Sequence, residues 1–277
     1  MALSISFSEL RELSLAYTNK TGYPFSEFSI SFLKRQLSKY CEKYHIRRLQ
    51  HFYEQIENKI FVESLLYFLS VDTSEMFRDP SFWRMLVPKV FPKLNADLHS
   101  IWFPDASSGE EIASLLILLK LTNNLSNISI EFNHPSRTRI EEINSGIIKT
   151  NNISLFQTNF KRLEFDESID SYINLVINSI FLNPNLVNNI KGQKGWFLTP
   201  PLNSPSIIFF RNSMLYFSKT LQNQVALYLF EKLKPGGFLM LGIKENIPES
   251  IKDKMIIIDE NERIFQKPGV LMPLINE

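Results

Sequence analysis

From residue 98 onward, short apolar runs alternate with stretches of helical periodicity, and this alternation constrains the fold more than any other feature. Ser100–Phe103 and Ile128–Phe132 read as strands, each followed by a helical stretch, Gly109–Lys120 and Arg137–Ser145. Ile207–Arg211 and Phe238–Gly242 are strongly apolar and too short for independent helices. Between them Ser218–Leu233 reads as a helix opening at a serine cap, and Pro235-Gly236-Gly237 marks a turn. Met255–Asp259 and Arg263–Gln266 read as closing strands around Glu260-Asn261-Glu262. Buried strands separated by helices predict an α/β fold: a parallel sheet with helices on both faces.

Residues 5–90 follow a different pattern. Phe7–Tyr17, Phe28–Tyr44 and Leu49–Ile60 carry apolar residues at helical spacing, and Glu63–Ser70 continues it. Ser26 and Ser29 are candidate N-caps after the Gly22-Tyr-Pro24 break. Pro80, Pro88 and Pro92 suggest a linker near 80–97. The expected division is a small all-helical unit, 1–85, preceding an α/β unit, 86–277. Segment 149–206 is Asn-rich and shows no clear period.

Composition narrows the function. A net charge of +1 gives no bulk reason to expect nucleic acid or an anionic membrane as partner. Apolar runs such as Ser114–Leu121 fall far short of the ~20 residues of a membrane span. Met1–Ser8 lacks the features of a signal peptide, so a cytoplasmic location is expected. Cys41, the single cysteine, excludes an internal disulfide and a cysteine-cluster metal site. The four histidines show no metal spacing, and G-x-G-x-x-G, P-loop and G-x-S-x-G motifs are absent.

Four segments carry chemistry. In Trp102–Glu111, Ser107-Ser108-Gly109 permits a tight turn into a helix N-terminus that favours negative groups, and Glu110 or Glu111 can bind an ammonium. The same residues also make an ordinary helix start. In Asp72–Pro80, Arg78 can hold a carboxylate, or pair at the surface with Asp79 or Glu75. In Phe209–Phe217 a strand ends in Arg211-Asn212, and Tyr216 offers a hydroxyl or simply packs as a core tyrosine. Leu233–Gly242 closes a helix and starts a strand through Pro-Gly-Gly. Lys34, Arg35, Lys39 and Lys43 lie near one helix face, either solvated or a dock for an acidic helix.

In this order the segments resemble the CheR family of chemotaxis glutamate methyltransferases. The family's N/T-x-T-x-F-F-R, S-T-G-E-E, C-R-N-x-x-x-Y-F and L-K-P-G-G-x-L-x-x-G segments read here Asp72–Arg78, Ser107–Glu111, Phe210–Phe217 and Leu233–Gly242. Phe25–Ile56 also looks like the family's N-terminal region. The resemblance implies a Rossmann-like methyltransferase sheet and S-adenosylmethionine as methyl donor, with S-adenosylhomocysteine as product and no metal. It implies methyl transfer to glutamate side chains of a chemoreceptor-like helix. It places Asp72, Ser74, Arg78, Glu111, Arg211 and Asn212 at the cofactor, and Arg78 with Tyr216 at the transferring methyl.

The chain departs from the family at several positions. His134, after Asn133, stands where an acidic residue holds the ribose hydroxyls. The stretch Gln193–Phe197, with Trp196 and Phe197, stands where the family has an Asn-Leu pair, and the asparagine is missing. Phe210 replaces the cysteine before Arg-Asn, and Ile112-Ala113 replaces Pro-Tyr. These changes fall in the expected cofactor pocket. A second reading therefore stays open: a degenerate relative with weak or no cofactor binding, acting as a regulatory or protein-interaction module.

Overall fold

A computed structural model describes residues 5–69, 75–94, 98–149 and 152–269. The chain opens with helices α1 (Phe7–Thr21), α2 (Ile30–Lys43), α3 (Gln50–Glu54) and α4 (Lys59–Leu69). The helical pattern over Leu49–Ile60 resolves into two helices. α3 stops at Glu54, and Asn58 Oδ1 accepts from the N–H groups of Ile60 (3.0 Å) and Phe61 (3.3 Å) to start α4. Ser29 precedes α2 as its cap residue without a capping hydrogen bond.

The proline cluster is not a linker. Pro80 opens α5 (Pro80–Lys89), where a missing N–H and a preset φ are tolerated, and Pro88 falls near the helix end. Phe82, Trp83 and Leu86 of this helix are fully buried. The chain continues through β1 (His99–Phe103), α6 (Glu110–Leu121), β2 (Ile128–His134), α7 (Arg137–Asn144), β3 (Ile147–Lys149), α8 (Ile153–Lys161), β4 (Ile173–Val176), β5 (Ser179–Leu182) and β6 (Ile190–Lys194). It ends with β7 (Ile207–Phe209), α9 (Lys219–Lys232), β8 (Phe238–Met240), α10 (Glu249–Lys252), β9 (Ile256–Asp259) and β10 (Ile264–Gln266).

Seven strands form one sheet in the order β6-β2-β1-β7-β8-β10-β9. The first five are parallel, and β10 runs antiparallel between β8 and β9. This is the expected α/β fold. Side chains alternate between two apolar layers. Ile101, Phe103, Ile207, Phe209, Phe238 and Met240 face one layer, with α5 and α6. Trp102, Ile208, Phe210, Leu239 and Leu241 face the other. That second layer also holds Leu33, Leu37 and Phe52, so the core of the N-terminal helices is continuous with one face of the sheet. Among the described residues no helix is long and apolar enough to cross a membrane.

The Asn-rich segment forms a small antiparallel sheet, β3-β5-β4, which periodicity did not reveal. Three successive residues of β4, Asn174 to Val176, are exposed, so no two-residue alternation is written into it. Asn178, at φ 59°, turns the chain from β4 into β5.

From β1 the chain moves outward to β2 and β6, then returns to β7 and proceeds the other way to β8. The order therefore reverses between β1 and β7. In open sheets of this kind, ligands bind beyond the strand ends at such a reversal.

Candidate active site

Two turns meet at this reversal. After β1 the chain passes Pro104–Gly109 into α6, with Ser107 at φ 50° and Gly109 at φ 90°. Ala106 N–H donates to Asn133 O of the neighbouring strand at 3.1 Å, and Gly109 N–H to Ala106 O at 2.9 Å. A Cβ on Gly109 would lie 2.7 Å from Ile143 Cγ1 and 2.9 Å from Ile148 Cδ1. Gly109→Ala therefore combines a strained backbone with overpacking, and chemical denaturation should show a loss of about 1–3 kcal/mol. No loss would mean that the turn tolerates a side chain.

Glu111 projects from the first turn of α6, and Arg211 follows the end of β7. The Arg211 guanidinium is almost fully buried. Its Nη1 donates to Glu111 Oε1 at 2.8 Å and its Nη2 to Asp79 Oδ2 at 2.9 Å. It also lies 3.8 Å from the centroid of the Phe82 ring, whose face attracts the cation. Arg211 Nε is buried and lacks a hydrogen-bond partner.

Asp79 reaches this position because the strap before α5 is sharply bent. Phe77 and Asp79 both have positive φ, 53° and 57°. Such backbone persists only when neighbours over-determine it. Here Phe77 N–H donates to Ser114 Oγ (2.8 Å), Trp83 Nε1 to Arg78 O (2.9 Å), and Asn159 Nδ2 to Met76 O (3.1 Å). Thus α5, α6 and α8 hold the strap that carries Arg78. Glu75 Oε1 stands 4.0 Å from Arg78 Nε, whereas Asp79 is committed to Arg211.

Arg78, Glu111, Arg211 and Asn212 line one cleft together with Glu75, Asp105 and Ser213. Asp105 accepts from Ser213 Oγ at 2.9 Å. Burial raises the Asp105 carboxyl above its usual range, against the pull of Ser213 and the Ser107 backbone. Burial likewise raises Glu111, with Arg211 and Arg78 opposing.

Behind the cleft lies Glu245, in the loop after β8. Its carboxylate accepts from the N–H groups of Asn212 (2.8 Å), Met214 (2.8 Å) and Gly242 (2.6 Å). This clamp fixes Asn212 at φ 64°. Burial pushes the Glu245 carboxyl up to about 7, although those three N–H groups and Arg211 pull it down.

Other expected site residues lie elsewhere. Phe197 and Phe210 are buried in an aromatic seam with Tyr23, Phe28 and Phe217, which joins the N-terminal helices to the sheet. Both are core residues, and neither lines the cleft. The Tyr216 ring packs on Phe32 of α2 at 4.5 Å between centroids, with Arg35 over it at 5.8 Å, and it does not line the cleft.

His134 is fully buried and does not line the cleft. Its Nδ1 accepts from Ser136 N–H at 3.0 Å, and burial pushes the ring down to about 3, so it is neutral. Trp196 lines a separate cavity of about 850 Å³ between the N-terminal helices and the ends of β2 and β6. Asp72 and Ser74 lie outside the described residues.

The sequence reading missed Asp79 as the partner of Arg211, and it missed Asp105, Ser213 and Glu245. Asp79 and Asp105 sit inside the quoted segments, so their charge was visible although their partners were not. Glu245 lies in a loop that carries no periodic signal.

A family model described as CheR methyltransferase, SAM binding domain, matches residues 72–264. The chain belongs to that family. A Pseudomonas putida protein named as a candidate methyltransferase, Cher3, is 25% identical over 264 residues, covering 94% of this chain and 96% of that protein. A chemotaxis protein methyltransferase of Vibrio parahaemolyticus is 23% identical over 286 residues, covering 99% of each. A Listeria innocua protein of the same name is 22% identical over 231 residues, covering 82% of this chain and 85% of that one. The CheR match spans every element of the cleft: the strap before α5, the turn after β1, the end of β7 and the Glu245 loop.

Proposed function

We propose that this CheR-family chain methylates glutamate side chains of an acidic, helical, chemoreceptor-type protein, using S-adenosylmethionine as methyl donor. One observation carries the reading: the charged cleft at the β1–β7 reversal, where Arg211 is held between Asp79 and Glu111 and Arg78 stands alongside. The departures from the family pattern leave this cluster intact.

The residues present fit the donor. Glu75, Asp105 and Glu111 suit its sulfonium and ammonium, whereas Arg78 or the spare Arg211 Nε suits its carboxylate. Bound there, S-adenosylmethionine would supply an electrophilic methyl group. The chain's own task is positional. A glutamate carboxylate is ionised at neutral pH, so no general base is needed. Arg78 would orient that carboxylate, and the buried walls would exclude water. Tyr216 would position the incoming chain by hydrogen bonding. Lys34, Arg35, Lys39 and Lys43 are all exposed on α2, a basic face on which an acidic helix would dock. We further propose that α1–α4 form a substrate-docking unit and that the sheet forms the catalytic unit, which takes in the Arg78 strap and α5 from the N-terminal side of the division expected between 1–85 and 86–277.

Calorimetric titration with S-adenosylhomocysteine tests this. Binding is expected, and its absence at millimolar ligand would overturn the reading. Binding should weaken as pH falls through the raised range of Asp105 and Glu111, because each protonation removes a negative charge facing the ligand's ammonium group. That weakening should begin above the usual carboxylate range. Arg78→Ala should slow methyl transfer to a receptor helix by roughly 100-fold, since misplacing a reactant costs about that much. A normal rate would remove Arg78 from the mechanism.

A further inference from the structure

The end of β2 lacks what a ribose needs, and another element brings it there. A ribose diol donates two hydroxyl hydrogens, which one carboxylate can accept together. Asn133 cannot substitute, because all its polar atoms are committed. Its Oδ1 accepts from Gln193 Nε2 at 2.8 Å, and its Nδ2 donates to the carbonyls of Thr199 (2.8 Å) and Trp196 (3.1 Å). His134 is a neutral, fully buried imidazole whose acceptor nitrogen is already taken by Ser136 N–H. Its Nδ1 lies 3.0 Å from Ser136 N and 3.3 Å from Ser136 O, and its Nε2 is buried without a partner.

Glu63 of α4 reaches the same place from the N-terminal helices. Its Oε1 accepts from Ser136 Oγ at 2.6 Å and from Thr138 N–H at 3.1 Å, capping α7 two to four residues beyond the end of β2. Its Oε2 lies 3.8 Å from Lys194 Nζ, at the end of β6. Glu63 lines the cavity of about 850 Å³ along with Thr138, Lys194 and Trp196. That volume lies within the usual range of ligand pockets, and the Trp196 indole there is a flat surface for a base.

We propose that Glu63 is the ribose-binding carboxylate of this protein, supplied to the β2 end by the N-terminal helices instead of by the strand itself. The proposal rests on the cofactor reading above. It assigns the adenosine half of the cofactor to the Glu63–Trp196 cavity. It also makes the cofactor site incomplete without α4, so the helical unit contributes to binding the methyl donor as well as the substrate.

The test compares two ligands by calorimetry: S-adenosylhomocysteine and its 2′,3′-dideoxyribose analogue. Wild-type protein should bind the analogue at least tenfold more weakly, as expected for losing hydrogen bonds to a charged acceptor. Glu63→Gln keeps an amide oxygen for Ser136 and Thr138 but has one acceptor fewer. It should bind S-adenosylhomocysteine at least tenfold more weakly than wild type and the analogue equally well. Equal losses for both ligands, or no loss for either, would overturn the role of Glu63 while leaving the cofactor reading standing. Equal affinity of wild type for the two ligands would overturn it without any variant. If wild type binds neither ligand, the cofactor reading itself fails, and this inference falls with it.

Discussion

Replacing Arg211 with methionine should cost about 3–5 kcal/mol of folding stability, the range for removing one partner from a buried ion pair. The size follows from what is left behind. Arg211 is 1% exposed and is shared by Asp79 and Glu111, at 18% and 19% exposed. Methionine fills the space and keeps contact with Phe82, so the loss is electrostatic and not a cavity. Two carboxylates would then be left without their cation. Glu111, which burial already raises, would lose the opposing pull of Arg211, so the variant should regain stability as pH falls through that raised range. Urea denaturation at pH 8 and pH 5 measures this. A loss below about 1 kcal/mol at pH 8 would show the triad to be solvent-screened like a surface pair. Adding Asp79→Asn to Arg211→Met should recover part of the loss, since residues in one network couple instead of adding. S-Adenosylhomocysteine binding should weaken in both variants, because the cleft wall is built on this triad.

Why the sequence revealed so much of this fold and so little of its wiring follows from the range of the forces involved. The sheet was legible because β1, β7 and β8 are buried on both faces, and burial on both faces leaves uninterrupted apolar runs. The turn after β1 was legible because Gly109 and the acidic start of α6 are local signals. The Pro80–Pro92 stretch misled because proline breaks a helix interior yet opens a helix at its first position, and only packing of Phe82 and Trp83 on the sheet decides between the two. The small sheet β3-β5-β4 was hidden because its strands are short and partly exposed. Arg78, Glu111 and Arg211, which line one cleft, each stand in a motif that the sequence displays. Their partners were not found, because Asp79 and Arg211 are 132 residues apart and Glu63 and Ser136 are 73 apart. No periodicity links such positions. For Phe197 and Phe210, motif position pointed to the ligand, while the aromatic seam between helices and sheet explains them as packing.

Glu245 gives a prediction whose sign depends on pH. Its carboxyl is pushed up to about 7 from the ordinary 4.5, mainly by burial. A folded value above the unfolded one means that the folded state binds the proton more tightly. The penalty of the buried charge is therefore fully present above about pH 7 and relieved as pH falls toward 4.5. Between pH 8 and pH 5 that relief amounts to roughly 2–3 kcal/mol. Glu245→Ala removes the titrating group and strands three buried N–H donors, those of Asn212, Met214 and Gly242. Each stranded donor costs about 1–3 kcal/mol, so the variant should be several kcal/mol less stable even at pH 8, where losing the buried charge offsets part of the cost. The gap to wild type should then widen by roughly 2–3 kcal/mol at pH 5, where only wild type gains from protonation. A gap that stays constant or narrows toward pH 5 would show that the three N–H groups hold Glu245 ionised throughout. The cleft gives an independent readout. With the clamp gone, Asn212 has no reason to keep its φ of 64°, and the Arg211–Ser213 turn would lose its shape. Weak S-adenosylhomocysteine binding by folded Glu245→Ala would then trace the shape of the reversal site to a carboxylate that never touches the ligand.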